Sequence, residues 1–398
     1  MNDFSKKDDA FTIKLPGSEL VFTRYLYVKE EVRIALLVSI LNKSDDAIFW
    51  AYEMYYSGFK YELLNLIWKI YYDFFATLNP AYEAYLLKKH KELANQTSLI
   101  QDRTISAIIQ DLLFRPFNAD VFMLRNICAL FEIDITYHTD TKILQMNDVI
   151  INMEHWISEN DYRTISHWIL NVNNGRISVV NIYNICLDIF NKELKLTKSK
   201  LEKEFISALR LTINPNEILL AKIMILFSKK ESLKKGRSIY INVEQEDIIS
   251  YETIVGTKEL KHYNILEQVC ICGIDDLRHL SLFKLTRNKY NLREKYWYQW
   301  EYHASFSPLW SQRLKQYRAY PDYIKQKVIF IDDNLMQEFY SLYGLEPDEQ
   351  KQEIQNKSII EIEKLYDWKW FNDKYKKNGL IEVYDEELDE FNNDGLIY

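Results

Sequence analysis

Apolar residues recur at helical spacing through most of the first 230 positions. Val28–Leu41 reads as one helix, and Asn42-Lys43-Ser44 breaks it. Ser44 or Asp45 can cap a second helix that runs to Ser57, where Gly58 suits the left-handed position past the end. A third helix spans Lys60–Thr77. Only Glu62, Asn65, Lys69 and Asp73 break its apolar and aromatic surface, at spacings of 3, 4 and 4. Those four share one narrow stripe, so the pattern predicts a helix enclosed on every other side. Asn79-Pro80 opens a fourth, with proline at its tolerated first position.

The same texture continues through Thr104–Phe114, Asn118–Phe131 and two amphipathic segments flanking Glu159-Asn160-Asp161. It resumes over Val179–Ser228, interrupted near Thr197 and at Asn214-Pro215. Short polar links between apolar helices predict a helical bundle or stacked helix pairs. No repeat of fixed period is present. Beyond residue 237 the pattern shifts. Ser238–Val243 and Tyr251–Val255 alternate as strands do, and Val328–Ile331 is an apolar run ahead of Asp332-Asp333. Asp333 is placed to cap a helix over Asn334–Tyr343 that Gly344 ends. The expected fold class is therefore mainly α, followed by a smaller mixed α+β region. Its divisions are an N-terminal arm over 1–27 with a hairpin or extended lead-in, a helical domain over 28–228, a basic linker over 229–237, a mixed domain over 238–376 and an acidic tail over 377–398.

Composition supports this picture. A chain of 398 residues is long enough for two or three cooperative units, and only 9 Gly and 7 Pro favour long helices over a many-turned sandwich. No apolar run approaches the ~18 residues of a spanning helix, so no membrane insertion is expected. Met1–Asp9 is too charged for a signal peptide. Four sparse cysteines fit reduced thiols in an intracellular compartment.

The net charge of −8 is unevenly placed. Residues 192–237 hold 12 basic and 5 acidic side chains, and residues 346–394 hold 15 acidic and 7 basic. A chain so polarised can turn one face to an anionic partner and another to a cationic one, although solvated helix faces give the same counts. Lys229, Lys230, Lys234, Lys235 and Arg237 are the candidate nucleic-acid contacts. The 291–318 segment adds Tyr296, Trp297, Tyr298, Trp300, Tyr302, Phe306 and Trp310 beside Arg293, Lys295 and Arg313. Aromatics among cations can stack on single-stranded bases. Trp297 and Trp300 are also i, i+3 partners on one helix face, and core packing is the favoured explanation of them.

Catalytic signatures are scarce. The nearest two glycines are 16 residues apart (Gly379 and Gly395), so neither a Walker loop nor a dinucleotide fingerprint can form. Gly-x-Ser-x-Gly and His-Glu-x-x-His are absent too, which leaves room only for an enzyme of unfamiliar design. Cys270-Ile271-Cys272 between His262 and His279 offers four zinc donors at a spacing that fits no common module. His155, Asp161 and His167 could serve acid–base chemistry or a metal, yet Asp161 also reads as a helix cap. Asp332 and Asp333 end a run like those that present metal-binding acids, without the phosphate loop such sites accompany. No catalytic residue, metal or cofactor is assigned.

Three aromatic phrases carry a resemblance. Asp46-Ala47-Ile48-Phe49-Trp50-Ala51-Tyr52-Glu53 with Tyr55-Tyr56-Ser57-Gly58-Phe59, then Ala304-Ser305-Phe306-Ser307-Pro308-Leu309-Trp310, and Tyr343-Gly344-Leu345-Glu346-Pro347-Asp348-Glu349-Gln350 resemble segments of uncharacterised proteins of nucleocytoplasmic large DNA viruses. The resemblance covers about a sixth of the chain, and an AT-rich coding bias toward Lys, Ile, Asn and Tyr agrees with it. It implies no activity and no site residues. The function expected is a non-enzymatic helical interaction or scaffold protein with protein partners, serving a virion, its assembly or viral gene expression. The alternative is a nucleic-acid-binding or processing protein built on 192–237 and 291–318.

Overall fold

A computed structural model describes residues 20–95, 98–131, 146–251, 292–343 and 368–394, with Ile133 and Ile135. The chain is mainly helical with one small two-stranded sheet among these residues. Helices α1 (Lys29–Leu41) and α2 (Asp46–Tyr56) meet across the Asn42–Asp45 turn, where Ser44 Oγ accepts the Asp46 N–H at 3.3 Å. Gly58 follows α2 at φ +94°, and a Cβ there would lie 2.5 Å from the Pro308 side chain. Both the left-handed turn and the close approach require glycine.

Helix α3 (Lys60–Ile70) continues as a π turn over Tyr71–Phe75, closed by the Ala76 N–H on the Tyr71 carbonyl at 2.8 Å. The polar stripe of this helix holds only at its start. Glu62 is exposed, whereas Asp73 is buried and receives Arg125 Nε at 3.0 Å and Nη2 at 2.6 Å. The guanidinium comes from α6 (Asp120–Leu130), so the stripe turns inward where a distant cation meets it. Helices α4 (Tyr82–Asn95) and α5 (Ser98–Phe114) pack on each other, and α5 also packs against α1 and α2.

Helices α7 (Met146–Ser158), α8 (Tyr162–His167, extended by a π turn over Trp168–Val172), α9 (Val179–Asn191) and α10 (Lys198–Ala208) lead to α11 (Pro215–Lys230). Every residue of α11 from Ile218 to Ser228 is buried. A helix apolar all round sits at the centre of a bundle, and α11 packs against α6, α9 and both π turns. Its one buried cation, Lys222, pairs with Glu83, which also accepts the Tyr72 hydroxyl at 2.7 Å. The Asp73–Arg125 and Glu83–Lys222 charges are thus matched and hydrogen-bonded inside the bundle, as low-dielectric burial favours.

After α11 the chain crosses the bundle surface. Lys235 Nζ donates to the Thr77 carbonyl at 2.8 Å, and the Gly236 N–H donates to the Leu78 carbonyl at 2.9 Å. The 238–243 segment is not the strand that its alternation predicts. Side chains satisfy its backbone instead: Asp111 Oδ1 accepts the Ile241 N–H at 2.9 Å, and Arg115 Nη2 donates to the Ile239 carbonyl at 2.8 Å. Arg115 lies over the Tyr82 ring at 3.9 Å and the Tyr240 ring at 5.3 Å. Tyr251 ends a 3-10 turn, and 252–255 lie outside the described residues.

Helices α12 (Leu292–Tyr298), α13 (Trp300–Ala304) and α14 (Pro308–Gln316) precede strands β1 (Ala319–Asp322) and β2 (Lys327–Phe330), which form an antiparallel hairpin. Helix α15 (Asp333–Tyr343) is capped by Asp332, not by Asp333. Asp332 Oδ1 accepts the Asn334 N–H at 2.7 Å, one residue earlier than the pattern suggested. Trp310 Nε1 donates to the Thr23 carbonyl at 3.0 Å, and the Leu309 N–H reaches the Ser57 carbonyl at 3.2 Å. Helices α16 (Trp368–Tyr375) and α17 (Asp385–Asp394) close the described chain. The stretch read as an acidic tail contains α17, which buries Leu388 and pairs Glu387 with Arg163. Buried side chains form one continuous core reaching from Leu20 to Leu388. Among the described residues no helix is long and apolar enough to cross a membrane.

Candidate interaction surface

The β1–β2 hairpin presents apolar side chains to solvent on a fixed turn. Its register pairs Ala319 with Phe330, Tyr320 with Ile329, Pro321 with Val328 and Asp322 with Lys327. Side chains alternate across a strand, so Ala319 and Phe330 turn inward, where the Phe330 ring lies 5.3 Å from that of Phe339. Tyr320 points outward. At the tip, Asp322 Oδ1 accepts the N–H groups of Ile324 and Lys325, each at 3.0 Å, and these donors hold its carboxyl below the usual range. On the other side, Lys295 Nζ bridges Gln326 Oε1 at 2.9 Å and Gln299 Oε1 at 2.7 Å.

The fixed turn leaves Ile324 94% exposed, with Tyr323, Tyr320, Ile331 and Tyr298 also in the open. Lys315, Arg318, Lys325 and Lys327 are exposed beside them. Large apolar groups gathered on a preorganised element characterise an interaction surface, because little conformational entropy remains to be lost on docking.

A second feature lies between α7 and α9, an open cleft of about 450 Å³. Buried Ile157 and Phe190 form its floor with Ile189, and Ile151 lines it from an exposed position. Glu154, His155, Ser158, Lys192 and Glu193 form the rim, with Lys192 Nζ 2.5 Å from Glu154 Oε1.

No family model, curated protein or solved structure matches this chain. The surface must therefore be read from its own chemistry.

His155 lies on the cleft rim, whereas the His167 ring nitrogen Nδ1 meets Asn171 Nδ2 at 3.1 Å. Asp161 caps α8, accepting the Thr164 N–H at 3.0 Å. Among the described residues no group of three or more His, Cys, Asp or Glu is placed to hold a metal ion. His262, Cys270, Cys272 and His279 lie outside the described residues. Cys128 and Cys186 are buried, which pushes both thiols up to about 12 and keeps them protonated.

The basic run is divided in its use. Lys230 Nζ donates to the Ile157 carbonyl at 3.1 Å and to Asn160 Oδ1 at 3.0 Å. Lys235 serves Thr77 and Ser228, and burial, with Lys229 nearby, pushes its ammonium down to about 8. Lys229 is half-buried and lowered by the same desolvation. Lys234 and Arg237 are exposed. In the aromatic segment, Trp300, Tyr302 and Trp310 are buried, with the Trp300 and Trp310 rings 5.3 Å apart. Core packing accounts for these three, and they have no free face for a base.

Sequence reasoning missed both the hairpin tip and the cleft. The tip carried a usable signal, since Pro321-Asp322 ahead of Tyr323 marks a turn between two short strands. The cleft carried none, because its lining is spread over two amphipathic helices.

Proposed function

We propose that this chain is a non-enzymatic helical interaction protein that acts inside the cell as a scaffold, in virion assembly or viral gene expression, and that binds a protein partner through the β1–β2 hairpin. One observation carries the reading. Ile324 stands 94% exposed on a turn held by Asp322 on one side and Lys295 on the other. A rigid aliphatic and aromatic tip among lysines is suited to fill a pocket on a partner, as central interface anchors do. The viral assignment rests on the resemblance of the three aromatic phrases alone.

The test is affinity purification of wild type and of a Tyr323→Ser, Ile324→Glu variant, with and without nuclease. Both side chains are exposed, so circular dichroism and the melting temperature should not change. The expected result is a nuclease-resistant protein partner lost from the variant. An identical set of partners from both proteins refutes the hairpin's role. The nucleic-acid reading draws on Lys234 and Arg237, which remain exposed, and on fewer groups than the sequence offered. Gel retardation at low salt, abolished by changing both to Glu, would favour it instead.

A further inference from the structure

We infer that the hairpin tip of one copy of this chain seats in the α7/α9 cleft of a second copy. The inference rests on reading the hairpin as an interaction surface, and it names the partner. Tip and cleft are complementary in kind. The tip offers Ile324 and Tyr323, two large side chains already in the open, and the cleft offers about 450 Å³ over a floor of Ile157, Ile189 and Phe190. Ile151, 47% exposed, extends that apolar lining outward. The charges agree as well. Lys325 and Lys327 flank the tip, and Glu154 and Glu193 stand on the rim. Glu154 is already paired with Lys192, whereas among the described residues neither Lys327 nor Glu193 has an ion-pair partner. Seating the tip would bury Ile324 and bring those two unpaired charges to one rim.

Contact between two different patches has a geometric consequence. If each of two copies lends its tip to the other, a closed two-fold dimer results; if not, the contact propagates into a ring or filament. A single turn in a cleft buries far less than the roughly 1,200 Å² of a stable interface, so one contact alone is weak. Association should therefore depend on concentration and be strengthened by repetition.

The experiment is sedimentation velocity of the full chain over a concentration series, joined to site-specific photocrosslinking from position 324. Wild type should self-associate reversibly, and the crosslink should land within 151–158 or 189–193 of another copy. Ile324→Glu should weaken association at least about tenfold, the loss of one buried aliphatic side chain. Lys327→Glu and Glu193→Lys should each weaken it by about two- to fivefold, as exposed ion pairs do, and the two together should recover most of the loss. A chain that stays monomeric throughout, a crosslink elsewhere, or association indifferent to Ile324→Glu overturns the inference. A monomeric chain that still captures a different protein through its tip overturns this inference and leaves the proposed function standing. A tip variant that keeps every partner of the wild type removes the proposed function itself.

Discussion

Replacing Asp120 with Asn should flatten part of the dependence of stability on pH. Asp120 opens α6 with 2% of its surface exposed, and its carboxylate accepts N–H groups from Leu380 at 2.9 Å and Ile381 at 3.4 Å and the amide of Asn118 at 3.0 Å. The titratable or charged groups are Tyr162, Arg163 and His167 on the neighbouring α8, and Asp385, Glu386, Glu387, Asp389, Glu390 and Asp394 on α17. None forms an ion pair with Asp120. Burial pushes the carboxyl up from an ordinary 3.8 to about 6, against the opposing pull of the two backbone donors. Between those values the native state holds a proton that the unfolded chain has released. The sign follows directly: this contribution is present below about pH 4 and is lost as pH rises through about 6. Two pH units correspond to about 3 kcal/mol. Asn keeps a carbonyl for the Leu380 N–H and has no charge to desolvate. Urea denaturation of wild type and Asp120→Asn between about pH 4 and about pH 7 should show the variant gaining about 3 kcal/mol relative to wild type across the range. Groups that titrate in both proteins, such as His303, which burial pushes down to about 4, cancel in the difference. A difference flat to within about 0.5 kcal/mol, or one that falls with pH, refutes the reasoning.

Other perturbations test the fold around the surface. Gly236→Ala places a Cβ 2.9 Å from Pro116 Cδ and in collision with Asn79 Oδ1, so the crossing segment must lift. The expected loss is about 2 kcal/mol, with faster tryptic cleavage at Lys234, Lys235 and Arg237; unchanged digestion would contradict it. Arg125→Met leaves Asp73 buried without its partner, and a loss of about 3–5 kcal/mol by chemical denaturation is expected, most of it recovered by adding Asp73→Leu. Trp310→Ala should lower stability by about 3–5 kcal/mol, whereas Ile324→Ala should stay within about 0.5 kcal/mol; the reverse order would mean that the segment's aromatics are not core.

What the sequence disclosed was whatever depends on near neighbours. The Leu41 end of α1, the Asp161 cap, the Asn214-Pro215 start of α11 and the left-handed Gly58 follow from residues within one turn of each other, whereas α4 begins at Tyr82 and not at Pro80, and α5 at Ser98 and not at Thr104. Asp333 failed as a cap by a single position, because the adjacent Asp332 accepts the Asn334 and Leu335 N–H groups instead. Asp73 was illegible because its partner lies 52 positions away on another helix. The 238–243 segment misled for a related reason. Alternation reports one buried face, and it does not reveal whether a neighbouring strand or side chains such as Asp111 and Arg115 meet the backbone. The candidate surface fared worst, since exposure is a property of the whole fold. Pro321-Asp322 marks a turn beside Ile324, but nothing local shows that its side chain stands in the open.

The link between Asp120 and Leu380 spans 260 positions, and that separation sets an order of events during synthesis. At about 5–20 residues per second, the amides that Asp120 receives emerge from the ribosome about 13–50 s after it does. Helices α1 to α11 are available to assemble long before then, with Asp73 and Arg125, and Glu83 and Lys222, all present to neutralise each other. Until residues 378–394 are made, the carboxylate at the head of α6 lacks the Leu380 and Ile381 donors and is left to water. Laying down residues 378–394 would expel that water. A ribosome stalled before residue 378 would therefore display a particle with a protease-sensitive seam beside α6, and extension past residue 394 would heal it.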